Sequence, residues 1–220
     1  MREDEEVRAM ATGVPRMESA AGLPGPVSLP EAARAQLLAL ARTAVAVASR
    51  AEPAPALDAA MHDASLTDLA ASAFVTLTEG GELRGCMGIL DPDRPVHDSV
   101  AEAAACATRT DPRFRPVAPD ELPRLQVDVS MLGPMVRLED PLSWRLGVDG
   151  IVVELGGRRG LLLPEVAEEN GLDRVAMLDI ATRKAGLPHG AWRDPEARVY
   201  AFRTLRFGGP ALAPGQEPRN

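Results

Sequence analysis

Apolar positions along the chain follow two different periods, and the switches between them mark the elements. Leu37, Leu38, Ala41, Ala44, Val45 and Ala48 recur at helical spacing and predict a core-facing helix over about 28–50. Ser28 and Glu31 have capping-box spacing there, and Pro30 suits a first helical turn. A Glu52-Pro53-Ala54-Pro55 breaker ends the helix, and the stretch to Ala71 is weakly patterned. Residues 74–77 are rich in strand formers, Glu79-Gly80-Gly81 signals a hairpin, and 82–90 returns as a second strand. Pro95 opens an alanine-rich helix in which Val96, Val100, Ala103 and Ala107 share one face, ending near Thr110. Leu125, Val127, Val129 and Met131 then alternate with Gln126, Asp128 and Ser130, the pattern of a half-buried strand. Residues 151–155 and 161–163 form a second hairpin signal across Gly156-Gly157, 173–185 reads as a helix closed by Gly186, and 199–207 alternates as the last strand. Hairpins with interspersed helices predict an α+β fold, a mostly antiparallel sheet with flanking helices. Residues 1–27 and 209–220 lack apolar periodicity and read as a disordered leader and a flexible tail around a folded 28–208.

Composition narrows the class without naming a substrate. The 220 residues are 45% hydrophobic and 25% charged, enough chain for a core that needs neither disulfides nor metal. Twenty-four basic against 32 acidic residues leave a net charge of -8, which opposes electrostatic capture of nucleic acid or anionic membrane. The longest uncharged stretch, 19–30, carries three prolines and cannot span a bilayer, and no apolar signal segment follows the acidic start. A cytoplasmic protein is therefore expected. Dinucleotide-binding, P-loop and nucleophile-elbow motifs are missing from the chain. His62, His97 and His189 lack ligand spacing, and Cys86 and Cys106 form no paired motif, so neither a metal nor a cofactor is expected.

The segment L-R-G-C-M-G (83–88) carries the most chemical information. If extended, it places Glu82, Arg84, Cys86 and Gly88 on one face and Leu83, Gly85, Met87 and Ile89 on the other. Arg84 and Cys86 would then be same-face neighbours about 6.6 Å apart along the strand. A guanidinium at that range favours the thiolate, the form that attacks electrophiles. Gly85 and Gly88 clear side chains from the backbone, as close approach of a ligand or another main chain requires. The plainer alternative makes Cys86 a small buried residue, the glycines a bulge, and Arg84 a partner of Glu82. A second candidate is Asp111-Pro112-Arg113-Phe114, a loop able to project a carboxylate, a guanidinium and a ring together, or else an Asp-Pro turn with Arg113 paired and Phe114 plugged into the core. Asp128 and Ser130, on the polar face of their strand, either line a cleft or simply face water, and Cys106, at the edge of the apolar face of its helix, reads as a core residue. His97 would serve as a base to Cys86 only if the fold brought them together.

These stretches, taken in order, resemble a known family. L-R-G-C-M-G (83–88), D-P-R-F-R-P-V (111–117), E-L-P-R-L-Q-V-D-V-S (121–130), G-V-D-G-I-V-V-E (147–154), G-L-L-L-P-E-V (160–166), K-A-G-L-P (184–188) and the closing W-R-D…V-Y-A-F are similar to the AMMECR domain family, whose prokaryotic members are called AmmeMemoRadiSam system protein A. The resemblance covers about 28–207. It implies two unequal α+β lobes with a cleft between them, the larger lobe including both chain ends. It also implies that the family's L-R-G-C-I-G segment is the functional site, with Met87 replacing isoleucine here. Carried over by position, Arg84, Gly85, Cys86 and Gly88 lead, and Asp111, Arg113 and Phe114 follow. Thr182 stands where many members have a second cysteine, which argues against a two-thiol mechanism. The implied partners are a Memo-like protein and a radical S-adenosylmethionine protein. Two functions follow as expectations: a component that binds a small anionic or carbonyl-bearing ligand, with Cys86 as its thiolate, or a non-catalytic scaffold for those partners. Whether the chain is an enzyme stays open at this point.

Overall fold

A computed structural model of the chain describes residues 16–17, 22–52, 66 and 69–212. These fall into two compact units, one built from Val27–Leu132 and the chain from Leu205 onward, the other from Gly133–Thr204 and the chain up to Pro26. The weakly patterned stretch 53–65 and His62 lie outside the described residues.

The first unit is a four-stranded sheet with two helices packed on one face. Its strands are β2 (Ala73–Glu79), β3 (Glu82–Ile89), β4 (Leu125–Leu132) and β9 (Thr204–Pro210), in the order β3-β2-β4-β9. Both neighbours of β2 run antiparallel to it. Gly80 and Gly81 take φ of +59° and +89° in the β2–β3 turn, the left-handed pair that a two-residue hairpin demands. Helix α1 (Glu31–Ser49) buries Leu37, Ala41, Ala44 and Val45, and α2 (Val96–Arg109) buries Val96, Val100, Ala103 and Ala107. Together with Val75, Leu77, Val127, Val129 and Met131 from the sheet they form one apolar cluster. The alanines let the helices lie close to the sheet. At Gly85, an added Cβ would stand 2.3 Å from the Ala107 carbonyl oxygen, so α2 is seated against bare backbone.

The second unit holds a five-stranded sheet in the order β1-β5-β8-β6-β7, comprising β1 (Arg16–Met17), β5 (Val136–Leu138), β6 (Gly150–Leu155), β7 (Arg158–Leu162) and β8 (Arg198–Phe202). Pairing is antiparallel except for β1, which runs parallel to β5. A short α3 (Val166–Glu169) precedes α4 (Arg174–Lys184), whose Met177, Leu178 and Ala181 join Ile151, Val153, Leu162 and Val199 in a second apolar cluster. Asp173 caps α4 by accepting the Ala176 N–H at 2.8 Å, and Gly186 closes it at φ +68°. Two antiparallel sheets with flanking helices make the fold α+β.

Four local expectations change. The Ser28/Glu31 capping box does not form, because Pro30 occupies the N-cap with no side-chain cap and its carbonyl accepts the Arg34 N–H. The strand expected over 199–207 is two strands in different sheets, β8 and β9, parted at Arg203, whose Nε lies 3.4 Å from Asp149 Oδ1. An alternating pattern carries through such a break because it reports burial, not sheet membership. Parts of the expected leader and tail are ordered: residues 16–17 pair with β5, Leu23 is buried, 209–210 complete β9, and Ala211 is buried. Residues 1–15, 18–21 and 213–220 lie outside the described residues. The chain ends also part company, since β1 belongs to one unit and β9 to the other, rather than both to the larger.

Candidate functional site

The register of the first hairpin sets the chemistry. Cys86 stands opposite Thr76, which in turn stands opposite Asp128, so the three form a row across β3, β2 and β4. The row lies on the face away from α1 and α2, because the intervening Ala73, Val75 and Leu77 are the buried, helix-facing residues of β2. The Thr76 hydroxyl donates to Cys86 Sγ at 3.4 Å. Gly85 pairs with Leu77 and Leu83 with Thr78, which leaves Arg84 as the extra residue of a bulge.

β3 is the edge strand, and its outward backbone groups are met by side chains. The Cys86 N–H donates to Asp111 Oδ2 at 2.8 Å, and the Cys86 carbonyl accepts from Arg113 Nη2 at 3.1 Å. Asp111 and Arg113 also form a two-pronged pair, Nε to Oδ1 at 2.9 Å and Nη2 to Oδ2 at 2.7 Å. The loop that carries them starts where α2 ends at Thr110, and Asp111 turns it by accepting the Arg113 N–H on its side chain and the Phe114 N–H on its carbonyl. The Arg113 guanidinium, the Cys86 N–H and the Arg113 N–H hold the buried Asp111 carboxyl down at about 2, against burial that works to raise it. Arg113 is pushed up, by Asp111 first and to a lesser degree by the Cys86 thiol beside it.

Arg84 goes elsewhere. Its Nε and Nη2 donate to Glu121 at 2.9 and 3.2 Å, and its Nη1 and Nη2 to the carbonyls of Arg115 and Pro116. Glu121, which is 3% exposed, also accepts the Ala118 N–H and an Arg115 N–H. Burial works to raise the Glu121 carboxyl, but its bonds to Arg84 and Ala118 and the charges of Arg84 and Arg115 hold it below its ordinary value. The half-buried Phe114 ring takes both guanidinium groups, Arg84 Cζ at 5.9 Å and Arg113 Cζ at 5.4 Å from its centroid.

The two predicted motifs therefore meet, but with exchanged roles. The guanidinium bonded to Cys86, at its carbonyl, is that of Arg113, 27 residues away in sequence, and Arg84 pairs with Glu121 rather than with Cys86 or Glu82. Of the two close approaches expected at the glycines, a ligand or another main chain, Gly85 receives a main chain, the Ala107 carbonyl, while the Phe74 ring stands 2.4 Å from where a Gly88 Cβ would be. Cys106 is half-buried rather than core. Ser130 is buried and Asp128 is paired with Arg206, so this face is not simply solvated. His97 pairs with its neighbour Asp98 at 3.5 Å. Thr182 is buried, and its hydroxyl donates to the Leu178 carbonyl. Thr76 and Glu121 escaped the sequence reading. Thr76 was accessible from the hairpin register, whereas nothing local marked Glu121. Among the described residues, no three His, Cys, Asp or Glu side chains stand together as a metal site, and no helix is long and apolar enough to cross a membrane.

Two sheets with flanking helices, one of them with an edge hairpin whose cysteine is held by an Asp-Pro-Arg loop, make this an α+β protein. The AMMECR1 family profile matches residues 38–207, and the chain belongs to that family. A Methanothermobacter thermautotrophicus protein is 47% identical over 140 residues, covering 61% of this chain and 73% of its own length. An Aeropyrum pernix protein is 41% identical over 141 residues, covering 60% and 61%. The crystal structure of the uncharacterized protein PH0010 from Pyrococcus horikoshii aligns with a TM-score of 0.71 at 33% identity, covering 83% of this chain and 95% of that one.

Proposed function

We propose that the protein is the A component of an AmmeMemoRadiSam-type system in the cytoplasm, and that it engages a small anionic or carbonyl-bearing ligand through the Cys86 thiolate. One observation carries this reading: Arg113, half exposed and paired with Asp111, donates to the Cys86 carbonyl at 3.1 Å and so holds a guanidinium at the cysteine. A fixed guanidinium there attracts an anionic ligand to the cysteine. Toward a carbonyl, the sulfur forms a bond to carbon, the π pair moves to oxygen, and the proton that leaves the thiol ends on that oxygen through water, a reversible addition that needs no cofactor. On this reading Arg113 meets the developing negative charge. The test is alkylation by iodoacetamide at neutral pH followed by peptide mass spectrometry. Cys86 is expected to react faster than Cys106, and Arg113→Gln to remove most of the difference. Equal rates at the two cysteines would end the nucleophile reading.

A second reading, a non-catalytic scaffold for Memo-like and radical S-adenosylmethionine partners, is favoured by a different observation. Asp111, Arg84 and Glu121 are all occupied with contacts inside their own unit. On that reading Cys86→Ser leaves partner pull-down and growth unchanged.

A further inference from the structure

A site unrelated to Cys86 lies on α4. Ala176, Asp179, Ile180 and Arg183 follow one another at helical spacing and so share one face of that helix. Leu187 and His189 return over it, because Gly186 ends the helix at positive φ and the Leu187 N–H donates back to the Thr182 carbonyl. These six residues line a groove of about 490 Å³, within the range of small-molecule sites.

Its polar groups are built rather than scattered. Asp179, only 14% exposed, is anchored by the buried Trp192, whose Nε1–H donates to Oδ1 at 2.8 Å. Arg193 lies 3.8 Å over the Trp192 ring and 3.9 Å from the same carboxylate, offsetting its charge. The other oxygen, Oδ2, meets His189 Nε2 at 3.2 Å, while the imidazole itself is 83% exposed. With Nε2 turned to Asp179, Nδ1 is the ring nitrogen left to meet a ligand hydroxyl. Arg183 makes no ion pair or side-chain hydrogen bond among the described residues, leaving an unpaired cation in the groove beside the apolar Ala176, Ile180 and Leu187.

We infer that this groove binds a small 2-hydroxycarboxylate with an apolar body. Arg183 takes the carboxylate, His189 Nδ1 meets the hydroxyl, and Ile180 and Leu187 cover the hydrocarbon. Asp179 acts as a positioning residue by fixing the imidazole. The probe is 2-hydroxy-4-methylpentanoate, titrated into the full chain while the His189 ring signals, assigned with His189→Gln, are followed by NMR. A saturable shift is expected, with 4-methylpentanoate binding more weakly and the uncharged amide of the hydroxy acid not at all. Arg183→Gln, a change at an exposed side chain, should weaken binding roughly tenfold. Any of four results would overturn the inference: no saturable shift, equal binding by the amide, equal binding by 4-methylpentanoate, or an unchanged Arg183→Gln variant. Inorganic phosphate reproducing the full shift would also do so, by showing a bare anion site with no use for the apolar floor. None of these outcomes bears on Cys86, which lies in the other unit.

Discussion

Asp111 accepts the backbone N–H of Cys86 at 2.8 Å, and that contact ties a loop after α2 to the open edge of β3. It substitutes for the ladder bond that another strand would make, and the Arg113 contact to the Cys86 carbonyl does the same one atom group along. Removing the carboxylate therefore acts on three groups at once. Asp111→Ala orphans the Cys86 N–H and the Arg113 N–H and leaves the Arg113 guanidinium without its partner. Because Arg113 is half exposed, the cost is expected at about 2 kcal/mol rather than the larger figure for a sealed ion pair, read from the urea midpoint. Cys86 alkylation should also slow, since Arg113 is no longer held beside the sulfur.

Acid should expose the same contact. The Asp111 carboxyl is held at about 2 against an ordinary 3.8, so the folded chain keeps it ionised while the unfolded chain protonates first. The stability this supplies is full above about pH 4 and disappears as pH falls toward 2, on the order of 2 kcal/mol in all. Glu121, also held down, contributes with the same sign. Urea unfolding at neutral pH and at stepwise lower pH should show the loss, and Asp111→Asn should flatten the curve in this window. An unchanged acid slope in that variant would place the titration elsewhere.

Arg84 and Arg113 should separate by readout. Arg84→Ala strands the buried Glu121 carboxylate, which keeps only Ala118 and the exposed Arg115, and is expected to cost about 3 kcal/mol. Arg113→Gln should cost less and yet slow alkylation of Cys86 more. Thermal unfolding and iodoacetamide kinetics on the two variants decide this. The opposite ranking in alkylation would restore Arg84 as the partner of the thiol.

The two glycines of the motif should differ in tolerance. A Cβ at Gly85 meets the carbonyl of Ala107, a backbone atom that moves only with α2, while one at Gly88 meets the ring of Phe74, which turns about its own side-chain bonds. Gly85→Ala is expected to cost about 1–3 kcal/mol, Gly88→Ala less, and the difference is measured by melting temperature. Equal losses would mean that the Phe74 ring is as fixed as the helix.

Local patterning in the chain determined most of the elements. Period-two alternation at 125–131, the Gly-Gly turns at 80–81 and 156–157, and the helical spacing of Leu37 through Ala48 each became the element they predicted, because burial on one face is a property of neighbours in sequence. The same parity placed Cys86 and Gly88 opposite Gly85 and Met87. Tertiary structure alone decided the rest. Which guanidinium reaches Cys86 depends on a bulge at Arg84 and on where α2 releases the chain, and neither leaves a periodic trace. Likewise the division of 198–210 between two sheets, and the return of His189 to Asp179, arise from contacts between residues or strands that no local pattern links. Hydrophobic periodicity specifies a face, whereas a partner is specified only when the backbone closes the distance.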